Sequence, residues 1–236
     1  MKTTQITPDL TQLTRLGFVN AYLLREDDGL TLIDTTLGNG AAGDLIGAAQ
    51  AQGAEIRRIV LTHGHGDHAG GLDAIKRQLG DEVTVYLGEA DARVWAGEQL
   101  TEGKPKGYWR EVSTVPDVRL SGGERIGSLE ALASPGHTLG HMAFLDTRDG
   151  SLFCGDVFTA YGRPSVSNHF YWRFPLAYGA TQDRAADLAS ARRLRALDPS
   201  RLLAGHGPAL SMPAAAMDAA LARSARALGE RDRVPS

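Results

Sequence analysis

A chain of 236 residues, 42% hydrophobic and 22% charged, is long enough to bury a substantial core, and it has no apolar run of membrane-spanning length. Its net charge of -3, without a basic run, argues against a nucleic-acid groove. The single cysteine, Cys154, excludes an internal disulfide and favours the cytoplasm. Met1–Leu10 lacks the charged and apolar regions of a secretory signal. No linker, repeat or low-complexity tract interrupts the chain, so one domain over residues 1–236 is expected, frayed only in its last half-dozen residues.

In chain order, Gly17–Arg25 and Leu30–Asp34 read as strands around the hairpin signal Asp27-Asp28-Gly29. Ala41–Gln52 has helical composition and stops at Gly53. Arg58–Thr62 is β-branched and apolar and reads as a buried strand. Directly after it, His63-Gly64-His65-Gly66-Asp67-His68 packs three imidazoles and a carboxylate into six residues. The two glycines let the backbone bend where strand becomes loop. In extended chain, residues two apart share a face, so His63 and His65 can converge on one ion while Asp67 and His68 turn toward a second. Gly71–Leu79 then reads as a helix ended by Gly80, Val83–Leu87 as a strand and Glu89–Ala96 as a helix. Leu129–Ala133, Met142–Asp146 and Leu152–Cys154 read as strands, the last two joined at Arg148-Asp149-Gly150. A helix is predicted over Thr181–Leu197, capped by Thr181 and stopped by Asp198-Pro199, and a terminal Ala-rich helix over Pro213–Leu228. Such a mixture belongs to the layered α/β or α+β class.

Three later segments repeat the pattern of an apolar strand followed by Gly and a ligand-type residue. They are Ser134-Pro135-Gly136-His137-Thr138, Leu152-Phe153-Cys154-Gly155-Asp156 and Leu202-Leu203-Ala204-Gly205-His206-Gly207. One match would be weak, because Gly-His and Gly-Asp are common turn pairs. Four together are strong, since catalytic groups usually sit on loops held by a rigid scaffold. A polar loop bonded only to water and backbone would explain the first run but not its three counterparts.

On these residues the chain resembles the metallo-β-lactamase superfamily of hydrolases, in the branch of glyoxalase II and the acyl-homoserine lactonases. The resemblance runs from Leu32-Ile33-Asp34-Thr35 to Gly205-His206-Gly207. It implies a four-layer αββα sandwich with two metal ions at one edge of the packed sheets. Carried over residue by residue, it implies His63, His65 and His137 as ligands of the first metal and Asp67, His68 and His206 as ligands of the second. Asp156 would bridge both. Imidazoles and carboxylates suit zinc and also accept iron, manganese or cobalt. The implied nucleophile is a hydroxide bridging two metal ions, its pKa lowered toward about 7. It would cleave a small ester, lactone or thioester, with Asp67 orienting it and passing a proton to the leaving group. No covalent intermediate is needed, so Cys154 is expected to be buried and structural.

Branches of the family separate on further residues. The bridging Asp156 argues against a true β-lactamase, and little chain follows His206 to supply the helical region of glyoxalase II. Lactonases place a tyrosine shortly after the bridging Asp; here Thr159 and then Tyr161 match imperfectly. A lactonase or thioesterase-like activity is therefore expected. The alternatives are a β-lactamase or phosphodiesterase activity on the same fold, or a mononuclear-iron oxidoreductase of the persulfide dioxygenase type, which would not need Asp67, His68 and His206. The expected partner is a small-molecule substrate, with no nucleic acid and no membrane, and a homodimer is compatible with the family.

Around the ligands, Asp34 is either a turn cap or the hydrogen-bond support of a ligand histidine. Thr62 and Thr138 flank ligands, His141 reads as structural, and His169 faces either pocket or solvent. Tyr108, Trp109, Tyr161, Phe170, Tyr171, Trp172, Phe174 and Tyr178 either line an apolar pocket or seal long loops. Arg163 and Arg173, among them, bind a carboxylate or face solvent.

Overall fold

The computed structural model describes residues 1–38 and 40–229, so the terminus expected to fray lies outside the described residues. The first sheet has the same order in space as in sequence: β1 (Lys2–Thr7), β2 (Leu10–Arg15), β3 (Val19–Glu26), β4 (Gly29–Ile33), β5 (Ile56–Val60), β6 (Thr84–Gly88) and β7 (Val118–Leu120). Its first four strands form an antiparallel meander, and β4 to β7 run parallel. Helices α1 (Ala41–Ala51), α2 (Leu72–Leu79) and α3 (Glu89–Trp95) occupy the parallel connections. There follow β8 (Arg125–Ile126), β9 (Leu129–Ala133), β10 (Met142–Asp146), β11 (Ser151–Gly155), and a small ribbon of β12 (Phe158–Thr159) and β13 (Ser165–Val166). Helices α4 (Leu176–Ala180) and α5 (Arg184–Ala196), strands β14 (Arg201–Ala204) and β15 (Leu210–Ser211), and helix α6 (Ala214–Ala227) complete the chain. The second sheet is ordered β15-β14-β11-β10-β9-β8.

Strand alternation builds the layers, because neighbouring side chains point to opposite faces. Tyr22, Leu24, Val60, Phe144, Phe153 and Leu203 meet between the two sheets. Their neighbours Leu23 and Ile59 instead pack under Leu45 of α1 and Ile75 of α2. On the far side, Leu152, Cys154 and Leu202 pack under Ala191 and Leu194 of α5 and Met217 of α6. The result is helices, sheet, sheet, helices: the four-layer αββα sandwich, with mixed rather than purely parallel sheets.

Two corrections concern element ends. The predicted α5 begins three residues later than expected, because Asp183 rather than Thr181 is the cap. Its carboxylate accepts from the Ala185 and Ala186 N–H groups at 3.0 and 2.9 Å. The first two strands were not predicted. β1 is an edge strand of half-exposed and exposed residues, and β2 buries threonine and glutamine beside its leucines, so neither shows a clean apolar alternation.

The ends of β4, β5, β9, β11 and β14 meet along one edge of the sandwich. There the Asn20 N–H donates to the Gly205 carbonyl at 2.8 Å and the Met142 N–H to the Thr62 carbonyl at 2.7 Å, tying one sheet to the other. Among the described residues, no helix is long and apolar enough to cross a membrane.

Candidate metal centre

His63 and His65 follow β5, and His137 follows β9. Their inner nitrogens converge: His63 Nε2 lies 3.1 Å and His137 Nε2 3.2 Å from His65 Nδ1. Each outer nitrogen already has an acceptor. His63 Nδ1 faces the Thr62 hydroxyl at 3.1 Å, which itself donates to Asp34 Oδ2 at 2.8 Å. His65 Nε2 donates to the Lys106 carbonyl at 3.0 Å, and His137 Nδ1 faces the Thr181 hydroxyl at 3.1 Å. The Thr181 proton is used toward the Ala177 carbonyl, 2.7 Å away, so the hydroxyl accepts from His137. With protons on the outer atoms, three lone pairs face one another and cannot hydrogen-bond together.

The second group faces the first across Asp156, which follows β11. His68 Nδ1 donates to Asp34 Oδ2 at 2.8 Å, leaving Nε2 inward, 3.4 Å from Asp156 Oδ1 and 3.9 Å from Asp67 Oδ2. His206 Nδ1 donates to the Phe18 carbonyl at 3.1 Å, leaving Nε2 at 3.2 Å from Asp156 Oδ2 and 3.5 Å from Asp67 Oδ2. Asp156 Oδ2 also lies 3.5 Å from His137 Nε2, so its carboxylate spans both groups. All seven residues singled out by sequence are thus brought together. Their donor atoms form three overlapping clusters: His63, His65 and His137; His63, His68 and Asp156; Asp67, His68 and His206.

Two observations fit divalent cations at this place. Buried His68 Nε2 and Asp156 Oδ1 have no hydrogen-bond partner among the described residues, which is costly unless another group satisfies them. The donors are also the borderline nitrogen and carboxylate oxygen types that zinc and iron take. Electrostatics agree at the first group, and at the second the carboxylates favour positive charge. Burial, reinforced by neighbouring imidazoles, holds His63 well below the ordinary histidine range. Burial likewise lowers His137 and His65, leaving neutral imidazoles suited to ligation. Burial alone would lower His68 and His206, but Asp156 and the other carboxylates outweigh it, raising His68 well above its usual value and His206 to about 9. Burial would raise Asp156, but His206 and His68 pull it well below the carboxylate range.

The open question about Asp34 is settled by geometry. At φ 59° it adopts a left-handed conformation, tolerated by aspartate. Its carboxylate accepts from the Thr62 N–H at 2.7 Å, the Thr62 hydroxyl and His68 Nδ1. His141, expected to be structural, accepts from the Asp156 N–H at Nε2, 3.1 Å, with its Nδ1 on Ser134 Oγ at 2.8 Å. It therefore places the backbone of the spanning carboxylate. Asp91, in α3, was not singled out by sequence. Fully buried, it accepts from Gly64 N–H at 2.8 Å, Thr138 Oγ at 2.7 Å and Gly140 N–H at 2.8 Å, joining the loops of His63–His65 and His137. An acid two residues into a helix carries no motif, and only this three-way contact reveals it. The loop of His206 is held by Asn20 and Tyr22, whose side chains donate to the Ala204 carbonyl at 2.9 and 2.6 Å.

Beside the seven residues lies a cavity of about 480 Å³ that reaches His65, Asp67, His137, Asp156 and His206. Its remaining walls are Phe18, Leu37, Gly107, Tyr108, Pro175, Leu176, Ala177, Gly179 and Ala180. Of the eight aromatic residues considered from sequence, only Tyr108 lines it. Trp109 packs edge-on against His65 at 5.0 Å, and Phe174 lies 4.7 Å from His206. Tyr171 is buried with Phe174, whereas Phe170 and Trp172 are exposed. Most of that wall comes instead from small apolar residues around α4. Arg163 and Arg173 stack on Tyr171 and Trp172 and do not line the cavity, and neither does His169.

Residues 14–206 match the family model described as the metallo-beta-lactamase superfamily. The uncharacterized protein YobT of Bacillus subtilis is 38% identical over 221 residues, covering 91% of this chain and 94% of its own. A hydroxyacylglutathione hydrolase of Rhodospirillum rubrum is 31% identical over 160 residues, covering 66% of this chain and 54% of that protein. This chain thus spans about half the length of that relative. Among solved structures, TTHA1623 in a di-iron-bound form is 28% identical with a TM-score of 0.61, covering 91% of this chain and 96% of the other.

Proposed function

We propose that this chain, which belongs to the metallo-β-lactamase superfamily, is a two-metal hydrolase of small, uncharged esters, lactones or thioesters. The observation that carries this reading is the meeting of three imidazole lone pairs with a second imidazole and carboxylate group, both touched by Asp156. His63, His65 and His137 would hold one cation, Asp67, His68 and His206 the other, and Asp156 would bridge them. When bound, such a pair supplies Lewis-acid polarisation of the scissile carbonyl and lowers the pKa of a shared water. The ligand set supports zinc, and the di-iron-bound relative supports iron as an alternative.

The chain's own groups do the rest. Asp67 lines the cavity and is the more exposed of the two carboxylates there. Burial would raise its pKa, but His68 and His206 keep it far below the carboxylate range, so it is ionised and able to accept a hydrogen bond that orients the attacking water. From that position it would help pass a proton from the water to the leaving oxygen or sulfur. Phe18, Leu37, Leu176 and Ala177 exclude water from the acyl portion. No lysine or arginine is among the lining residues, which favours a neutral substrate over a phosphodiester. Cys154 is fully buried and its thiol is pushed up by burial, so it is no nucleophile.

The cavity's size supports a small-molecule partner, and the lone buried thiol supports a cytoplasmic location. Both sheets belong to one sandwich, which supports a single domain. The decisive experiment is a hydrolysis panel of lactones, thioesters, aryl esters, phosphodiesters and β-lactams on metal-verified protein. Turnover is expected on the first three classes. Activity confined to phosphodiesters or β-lactams would overturn the assignment.

A further inference from the structure

Lys106 lies in the long irregular segment between α3 and β7 and has no part in the site as described beyond one carbonyl. All three of its polar groups are nevertheless engaged, and all of them toward the same two imidazoles. Its carbonyl accepts from His65 Nε2 at 3.0 Å and from Trp109 Nε1 at 2.7 Å. Its N–H donates to Gln182 Oε1 at 2.9 Å. Its ammonium donates to the Thr181 and Gln182 carbonyls, each at 3.2 Å. On the far side, Thr181 Oγ holds His137 Nδ1 at 3.1 Å, and the Gln182 N–H donates to the His137 carbonyl at 3.0 Å. A single residue therefore joins the outer supports of His65 and His137, whose inner nitrogens stand 3.2 Å apart.

The neighbouring residue shows how closely the segment is fitted. Gly107 has φ +88°, and a Cβ there would lie 2.3 Å from His65 Nε2. Only glycine lets the backbone pass so near the ring. Gly107 and Tyr108 are also cavity walls.

We propose that Lys106 is a positioning residue that braces His65 against His137, setting the spacing of one cation's ligands while carrying the Gly107–Tyr108 wall on the same brace. This rests on the two-metal reading above. Lys106 is exposed, yet its ammonium closes a loop from one imidazole, through the segment, to the other. Outer partners of ligating histidines typically change metal affinity by 10- to 100-fold when lost. The ammonium acts one step further out, so the low end applies.

The test is Lys106→Met, which keeps the apolar stem and removes the donors, read by stepwise zinc affinity against a competing chelator. One of the two ions should weaken about tenfold, and Lys106→Arg should recover most of the loss. In a His206→Ala background, which spares the His63, His65 and His137 group, the loss should persist; in a His137→Ala background it should vanish. A merely structural role would weaken both ions alike, and that result, unchanged affinities, or failure of arginine to rescue would overturn the proposal. Should Lys106→Met not fold, Gln182→Ala removes the acceptor of the Lys106 N–H and is read in the same way. Wild-type protein that binds fewer than two ions would count against the two-metal reading alone. The brace is then read in metal-free protein by imidazole nitrogen NMR, where His65 should carry its proton on Nε2 and lose that preference in Lys106→Met. An unchanged His65 tautomer there would overturn it.

Discussion

Asp34 orients two imidazoles at once: His68 directly, and His63 through the Thr62 hydroxyl. Asp34→Ala should therefore weaken zinc binding by about 10- to 100-fold, measured by chelator competition, and unchanged affinity would show that the imidazoles hold themselves. Asp91 acts on the loops instead of the rings. Asp91→Ala leaves two N–H groups and a hydroxyl buried without acceptors, each costing about 1–3 kcal/mol. Chemical denaturation of the metal-free protein should show a loss of several kcal/mol; a loss under about 1 kcal/mol would mean the loops reorganise or admit water. The contrast between these two acids shows what a sequence discloses at this scale. Candidate ligands come from few residue types and follow strand ends, so the seven that meet here were legible as a pattern. Asp34 was legible as a candidate but not as a role. Asp91, Lys106 and Thr181 act through contacts spanning dozens of residues, and no local spacing encodes those.

Elements whose apolar residues alternate or recur helically were legible: β9 and β10 match their expected ranges, α1 and α2 differ by a residue at one end, and α6 by a residue at each end. β1, β2 and the short α4 were not, because threonine-rich strands and a five-residue helix between aromatic loops carry little periodic signal. Two predictions belong here. The 97–116 segment is pinned to α2 by Asp73, which accepts from the Ser113 and Thr114 N–H groups and from Thr114 Oγ. Burial would raise its pKa, but these bonds outweigh it and hold it below its ordinary 3.8. A lowered folded-state pKa means the contribution is present above 3.8 and fades as pH falls through the folded value. Asp73→Asn should thus be less stable than wild type near neutrality, with the difference closing in acid; a gap independent of pH would contradict this. At the end of β14, a Cβ on Gly205 would stand 2.4 Å from both Asp156 Oδ1 and His68 Cε1. Gly205→Ala should keep a cooperative thermal transition yet lose bound metal, and full metal content would show that Asp156 and His68 can move aside.

At the scale of the molecule, two sheets face each other through a core that alternation alone nearly specifies, and the fold follows from that burial. The site lies where five strand ends reach one edge, so its candidate ligands come from loops far apart in sequence but fixed by the most rigid part of the chain. Substrate choice is another matter. The cavity wall depends on how α4 and the segment around Lys106 fold over that edge, and aromatic composition left open which side chains line it. The central claim is that Asp156 joins two cations in one hydrolytic centre. Metal content per chain, determined on wild-type protein and on Asp156→Ala, tests it most directly. Two divalent ions per wild-type chain are expected, with at least one lost, together with turnover, in the variant. A single iron per chain with oxygen uptake on a persulfide, or an Asp156→Ala variant that keeps both ions and full turnover, would contradict it.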